Sequence, residues 1–367
     1  MRTPEIRFCT SPDGVRLALM QYGDGPLLIK AATWLTHIER DMESPHTRQW
    51  IEALSRTHTF VTYDTRGCGL SDRRATDISL DAWLQDLETV VETLGVDKFS
   101  LLGISCGGAV AVAYAAKHPE RVEKLIVFGG YATSYFSTGN PDPKIAEEAE
   151  TLLKVAELGW GTGGQAFRQV FVSKFMPEAS ADQRQAFDEY QRLTATPEMA
   201  ARCLRAMFNI NVKVAAQQVS CPTLVFHARG DQLIDYEQGR KLAARIPGAC
   251  FVPIESANHV PFAGEACWTM LASEMKNFLG VDGDVVSDAA SSTKLKLTAR
   301  QTEVLRLVSQ GNTDKQIARL LSLSPRTVEM HVAGALKLLE CATRAEAVHV
   351  AATHGLLTAA NAASDLP

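Results

Sequence analysis

The chain reads as an α/β protein with a helical stretch inserted among its strands, followed by a small all-α domain. Three observations predict this. Short apolar strands recur through the first 280 residues, and one of them, Phe99-Ser100-Leu101-Leu102, runs into a glycine-rich turn and a small-residue helix from Ala109 to Lys117. Between about residues 131 and 214 the pattern becomes helical and rich in aromatics. The last seventy-odd residues carry a helix-turn-helix pattern.

Length and composition agree with two domains. A chain of 367 residues exceeds what one core usually serves, and 46% hydrophobic with 22% charged residues is ordinary for a globular protein. No apolar stretch is long enough to span a bilayer, and Met1-Arg2-Thr3-Pro4-Glu5-Ile6 lacks the apolar centre of a secretion signal, so a cytoplasmic protein with no membrane partner is expected. The eight cysteines include no C-x-x-C pair; disulfides and structural zinc are not expected, nor is any other metal or cofactor.

Taken in order, the turn after the 99–102 strand reads Gly103-Ile104-Ser105-Cys106-Gly107-Gly108, a G-x-S-x-G elbow in strand-turn-helix context. Glycines flank the serine because the turn is too tight for side chains, and the helix N-terminus behind it favours developing negative charge. A base and an acid should follow downstream. The strand Pro222-Thr223-Leu224-Val225-Phe226-His227 leads to Asp231 on a loop, and the strand Cys250-Phe251-Val252-Pro253-Ile254 leads to His259. Ser105 is therefore the expected nucleophile, His259 the base and Asp231 its orienting acid. Asp235 is the alternative acid, or else a helix cap, while His227, His118 and His37 are expected to be packing or surface histidines. Of the cap aromatics Trp160, Phe167, Phe171, Phe175, Phe187, Tyr190 and Phe208, with Met176, about two in three are expected to pack the cap onto the core, leaving the rest to touch a ligand. The polar, small-residue run over 280–294 reads as a linker.

In the C-terminal part, Val304, Leu305, Leu307 and Val308 recur at helical spacing, with Gly311 where a C-cap belongs. A second helix runs through Ile317, Ala318, Leu320 and Leu321; Ser324 is an N-cap and Pro325 starts the third helix. The helix-turn-helix motif covers about 314–333. Val328, Val332 and Leu336 hold the core, leaving Arg326, Thr327, Glu329, Met330 and Ala333 for base edges. Lys315, Arg319 and Lys337 are placed for phosphates, and Ser324 joins this DNA-facing set. Nine basic against six acidic residues give 293–367 a charge of +3, against −8 for 1–292. That is modest for one module and favours paired binding to double-stranded promoter DNA.

These motifs carry two resemblances. Residues 295–357 resemble the LuxR-type DNA-binding domain, including the last helix around Thr343-Arg344-Ala345-Glu346-Ala347-Val348; the resemblance implies a homodimer through that helix. Glu329 stands where that family often has a basic residue, and Ala333-Gly334 where it has something polar; either the preferred sequence or the affinity is then altered. Residues 12–279 resemble the α/β-hydrolase superfamily: Asp64-Thr65-Arg66-Gly67-Cys68-Gly69-Leu70-Ser71 matches its D-x-R-G-x-G-x-S loop, with Asp64 and Arg66 read as structural braces, and His118-Pro119-Glu120-Arg121-Val122 matches the end of the helix after the elbow. The fold class the resemblances imply is an α/β-hydrolase fold, a doubly wound, mostly parallel sheet with a helical cap, plus a LuxR-type helix-turn-helix domain, arranged as a ligand-binding domain over 1–279 with its cap at about 131–214, the linker over 280–294, and the DNA-binding domain over 295–367. Where relatives carry His-Gly for the oxyanion, this chain has Ala32-Thr33, leaving the Trp34 and Cys106 N–H groups as the donors and slow turnover as the expectation. The function expected is a ligand-responsive transcriptional regulator that senses a small, largely apolar ester, lactone or aromatic acid, with or without slow hydrolysis. The competing reading is a serine hydrolase, esterase or lactonase-like, whose helix-turn-helix is secondary.

Overall fold

Strands form where β-branched and aromatic residues alternate between turn signals, and a computed structural model describes them within residues 5–137, 142–160, 165–280, 297, 299–309, 312–321, 323–339, 341 and 344–353. The strands are β1 (Ile6–Thr10), β2 (Arg16–Tyr22), β3 (Leu27–Ala31), β4 (Thr59–Tyr63), β5 (Phe99–Ile104), β6 (Val122–Phe128), β7 (Thr223–Ala228) and β8 (Cys250–Ile254). They make one eight-stranded sheet in the order β1-β2-β4-β3-β5-β6-β7-β8. From β4 through β8 every pairing is parallel, and β1 and β2 add an antiparallel edge.

Both faces are covered, so alternate residues of each strand enter different cores. Leu17, Leu19, Val61, Leu101, Leu125 and Val127 belong to one core, with α2 (Leu80–Leu94) and α3 (Cys106–Lys117). Ala18, Met20, Phe60, Leu102, Ile126 and Phe128 belong to the other, against α1 (Pro45–Leu54) and α10 (Trp268–Leu279). Between β6 and β7 run the helices α4 (Pro143–Gly159), α5 (Gln165–Phe175), α6 (Ala181–Thr194), α7 (Pro197–Phe208) and the short α8 (Lys213–Gln218); α9 (Tyr236–Ala243) joins β7 to β8. Caps mark their starts: Ser180 and Gln183 form a capping box on α6, and the Thr196 side chain accepts from the Met199 N–H on α7.

The loop after β4 is held by buried charge. Asp64 accepts from the Ile38 N–H at 2.9 Å and the Leu70 N–H at 2.8 Å. Arg66 is fully buried and bidentate on Asp86, at 2.8 and 2.6 Å, with Asp13 at 2.6 Å from its other nitrogen. Both residues are therefore braces.

The chain divides into two units, Met1–Asp284 and Val285–Pro367. The linker expected over 280–294 lies outside the described residues apart from Gly280, as does Gly311. The second unit has α11 (Ala299–Ser309), α12 (Asp314–Leu320), α13 (Pro325–Leu338) and α14 (Arg344–Thr353). Val304, Leu307, Ile317, Ala318, Val328 and Val332 pack α11, α12 and α13 together, while Leu305, Ala335, Ala347 and Ala351 seat α14. The Gln316 side chain accepts from the Thr313 N–H at 2.8 Å at the start of α12, and Ser324 Oγ accepts from the Thr327 N–H at 3.1 Å at the start of α13. Among the described residues no helix is long and apolar enough to cross a membrane.

Removing one partner of a buried ion pair strands the other charge. Asp86→Ala is expected to lower unfolding stability of the first unit by about 3–5 kcal/mol in urea titration. Asp13→Ala, whose side chain is partly exposed, should cost about 1 kcal/mol or less by the same measurement.

Candidate active site

Ser105 lies at the sharp turn between β5 and α3 with φ 54° and ψ −127°, the one non-glycine residue with positive φ among the described residues. Such a conformation stores about 1–3 kcal/mol and persists only where neighbours enforce it. They do so by contact: a Cβ on Gly103 would sit 2.5 Å from the Gly108 Cα, and one on Gly107 would sit 2.9 Å from the Ala31 carbonyl oxygen. The Ser105 N–H donates to the Phe128 carbonyl at 2.8 Å, tying the turn to β6.

The loops after β7 and β8 bring the other two residues together. His259 Nδ1 is 2.6 Å from Asp231 Oδ2, both side chains fully buried. The other Asp231 oxygen accepts from the Leu233 and Ile234 N–H groups at 2.9 and 3.0 Å. Burial works against the charged form of Asp231, but His259, His227 and the Ile234 N–H outweigh it and hold the carboxyl well below the usual range. An ionised Asp231 accepts, so the His259 proton belongs on Nδ1 and the Nε2 lone pair is left for a base. That Nε2 is buried and makes no hydrogen bond, so the Ser105–His259 contact is not closed in this structure. Asp235 does not compete: it caps α9, accepting from the Glu237 N–H at 2.8 Å.

His227, expected to be a packing histidine, is fully buried and also meets Asp231. Its Nε2 lies 3.2 Å from Asp231 Oδ2 and 2.9 Å from the Ile234 carbonyl, so it donates to two acceptors. A Cβ on Gly239 of α9 would fall 2.2 Å from His227 Nδ1, which shows how closely that helix presses on the ring. A histidine four residues before the acid was the only available signal in the sequence. Of the other two histidines, His118 bonds Glu88 at 2.7 Å on the surface side, and His37 is buried with its main-chain N–H on the Tyr190 hydroxyl.

On the oxyanion side, Trp34 and Cys106 are both buried and adjacent: the Cys106 thiol lies against the Trp34 backbone, and burial pushes that thiol up to about 12. Trp34 packs edge-on to Trp160 at 5.6 Å and tilted on Phe171 at 5.1 Å.

Ser105 opens into a cavity of about 160 Å³. Phe171, Phe175, Phe187, Tyr190 and Phe208 line it, whereas Trp160 and Met176 are buried away from it and the Phe167 side chain lies outside the described residues. Most of the described cap aromatics thus face the cavity, and they also pack into the core as expected. The reason is the stack Phe171–Phe175–Phe187–Tyr190, with centroids 5.7, 4.9 and 6.3 Å apart and planes within 16°, which packs and walls the cavity at once. Polar side chains line it too, among them Lys30, Asp41, His46 and Thr62.

In the second unit, Lys315 and Arg319 are exposed on α12, Glu329 and Ala333 on α13, and Thr327 is half-buried with its hydroxyl 2.8 Å from Ser324 Oγ. Ser324 is thus engaged as a cap. The side chains of Arg326, Met330 and Lys337 lie outside the described residues. Gly334 is half-buried, with the movable end of the Gln301 side chain on α11 over it.

Comparison with known proteins agrees with both halves. Residues 40–221 match the family described as alpha/beta hydrolase fold, and residues 295–351 the family of bacterial regulatory proteins, luxR family. The first unit is thus an α/β-hydrolase-fold domain. The chain as a whole joins that domain to a C-terminal LuxR-type helix-turn-helix domain. Among curated proteins it is 26% identical over 205 residues to a putative carbamate hydrolase RutD of Caulobacter sp. (strain K31), covering 54% of this chain and 73% of that protein. It is 25% identical over 280 residues to 2-hydroxymuconate semialdehyde hydrolase of Pseudomonas sp. (strain CF600), covering 74% and 87%. Among solved structures, the esterase EaEST from Exiguobacterium antarcticum superposes with a TM-score of 0.63 at 20% identity, covering 74% of this chain and 98% of that one. The enol-lactonase from Burkholderia xenovorans LB400 gives 0.59 at 21%, covering 74% and 99%; both show the fold alone.

His46 carries a pH dependence. Burial, and Lys30 nearby, push its imidazole down to about 3, so the folded protein keeps it neutral where the unfolded chain, at about 6.5, takes a proton. The unfolded state then binds more protons below pH 6.5, and stability falls as pH drops. Between pH 7.5 and pH 5 this group alone should remove about 2 kcal/mol, and His46→Gln should flatten the urea-measured stability profile by that amount.

Proposed function

We propose that this protein is a ligand-responsive transcriptional regulator. It binds double-stranded promoter DNA through α12 and α13 and senses a small, largely apolar molecule in the cavity beside Ser105. The observation that carries this reading is the pairing, in one chain, of a luxR-family module with a hydrolase-fold cavity whose nucleophile and base are not hydrogen-bonded to each other. A pocket joined in one chain to a luxR-family module suits recognition coupled to promoter binding. The sensing domain is 1–279 with its cap at about 131–214, the linker 280–294 and the DNA-binding domain 295–367. Binding as a homodimer in the cytoplasm completes the reading, because one module of charge +3 has few phosphate contacts to offer.

In the DNA-binding set, Arg326, Thr327, Glu329 and Met330 face bases, Lys315 and Lys337 hold phosphates, and Ser324 orients the start of α13. A ligand shifts the equilibrium only as far as it distinguishes two states of the protein, and closure of the aromatic wall around it is the distinguishing contact.

A second reading, a serine hydrolase, is favoured by the His259–Asp231 bond. In it Ser105 attacks an ester or lactone carbonyl, His259 Nε2 takes the hydroxyl proton, Asp231 steadies the imidazolium, and the Trp34 and Cys106 N–H groups face the oxyanion. Turnover requires Ser105 Oγ and His259 Nε2 to close first.

The regulator is tested by quantitative binding of the purified full chain to its own promoter fragment and to random duplex of equal length, with and without small aryl acids and esters. Specific binding that changes with a ligand is expected; equal affinity for both duplexes would falsify it. Ser105→Ala should bring hydrolysis of p-nitrophenyl acetate to the buffer background while ligand-dependent promoter binding persists; loss of both makes catalysis part of the signal. Arg326→Ala should weaken specific binding by about 1–3 kcal/mol in fluorescence anisotropy.

A further inference from the structure

Lys30 is an unusual residue for the centre of a parallel sheet. Its strand, β3, lies between β4 and β5, and the register aligns Leu28 with Phe60 and Lys30 with Leu102. On β3 Leu28 and Lys30 alternate onto the face covered by α1, where Phe60, Leu102 and Trp50 pack. Its side chain keeps some accessible surface, and it lines the cavity. It makes no hydrogen bond or ion pair among the described residues.

Two further donors share that wall. Trp50 Nε1 and Thr62 Oγ1 are buried without a hydrogen-bond partner, and both residues line the cavity. The acceptors close by are engaged: Asp41 takes the Tyr190 hydroxyl at 2.9 Å, and Asp64 takes two backbone N–H groups. His46 stays neutral and adds no second cation. What is left over at this end of the cavity is donor capacity, one part of it the Lys30 amine, whose charged form burial disfavours and the nearby Asp41 and Asp64 favour. Unmatched groups of that kind are costly to bury, and an anionic acceptor relieves all three.

Size narrows the class. The cavity, about 160 Å³, is close to the ~150 Å³ of an engineered apolar cavity that takes up benzene. Lys30 aligns with Leu102, three residues before Ser105, or roughly 10 Å along the strand direction. A single ring carrying a carboxylate on a short arm spans that interval.

We propose that the inner end of the cavity is a carboxylate subsite, in which Lys30, Thr62 and Trp50 donate to the acid group of a monocyclic aryl carboxylate whose ring lies among Phe171, Phe175 and Phe187. This rests on the reading of the cavity as a ligand site and names the ligand's chemical class.

The test uses calorimetric titration of the full chain with phenylacetate, phenylacetamide and methyl phenylacetate. Phenylacetate is expected to bind at least tenfold more tightly than the amide. Lys30→Met should erase that preference, Lys30→Arg should keep most of it, and Thr62→Val should weaken phenylacetate several-fold. Equal or tighter binding of the amide or ester by the wild-type protein overturns the carboxylate subsite while leaving the cavity a ligand site. No binding by any of the three removes the subsite and counts against the sensor with it. Because the acid-to-amide comparison needs only the wild-type protein, a Lys30 variant that fails to fold does not decide the matter.

Discussion

Crowding of backbone on backbone at the end of β5 governs the first unit. The sheet and α3 approach so closely there that Gly103 and Gly107 have no room for a Cβ, and Ser105 is driven to a left-handed φ. The same approach brings the Ala31 and Ala32 carbonyls down on Gly107, which fixes the path of the chain into Trp34 and hence the ceiling of the cavity. A bulkier residue at either glycine would push α3 away from the sheet and disturb the Ser105 turn and the cavity beside it.

Electrostatics supplies the second layer. Three buried carboxylates are used in three ways. Asp86 neutralises Arg66 and anchors a loop, Asp64 collects backbone N–H groups, and Asp231 orders two imidazoles. In the last case the carboxylate dictates which nitrogen of each ring carries its proton, and a fold element remote from the elbow, α9, keeps His227 in contact through Gly239. Lys30 feels Asp41 and Asp64 yet makes no hydrogen bond or ion pair among the described residues, and it lines the cavity.

Much of this was legible before any coordinates. The elbow could be read because its chemistry is local: strand, glycine, serine and small-residue helix are contiguous. Asp231 and His259 could be found because acid and base follow parallel strands in a fixed chain order. The helix-turn-helix was readable from Val304, Ile317, Val328 and Val332, whose spacing already describes the core they form. What escaped was long-range. His227 looks like any strand-end histidine until α9 folds back on it; Lys30 looks like an edge-strand residue until β4 and β5 enclose it. The cap aromatics were read as packing because composition does not distinguish a ring that fills a core from one that walls a cavity. In the stack here each ring does both.

Phe175 joins the two halves of the first unit in a way that sequence gives no hint of. Its ring is the middle of the aromatic stack, and its main-chain carbonyl accepts the His259 N–H at 2.8 Å. The helix that borders the cavity therefore also grips the peptide unit of His259. A displacement of Phe175 at the cavity wall is thereby carried to the backbone of His259, so aromatic wall and imidazole share one mechanical coordinate.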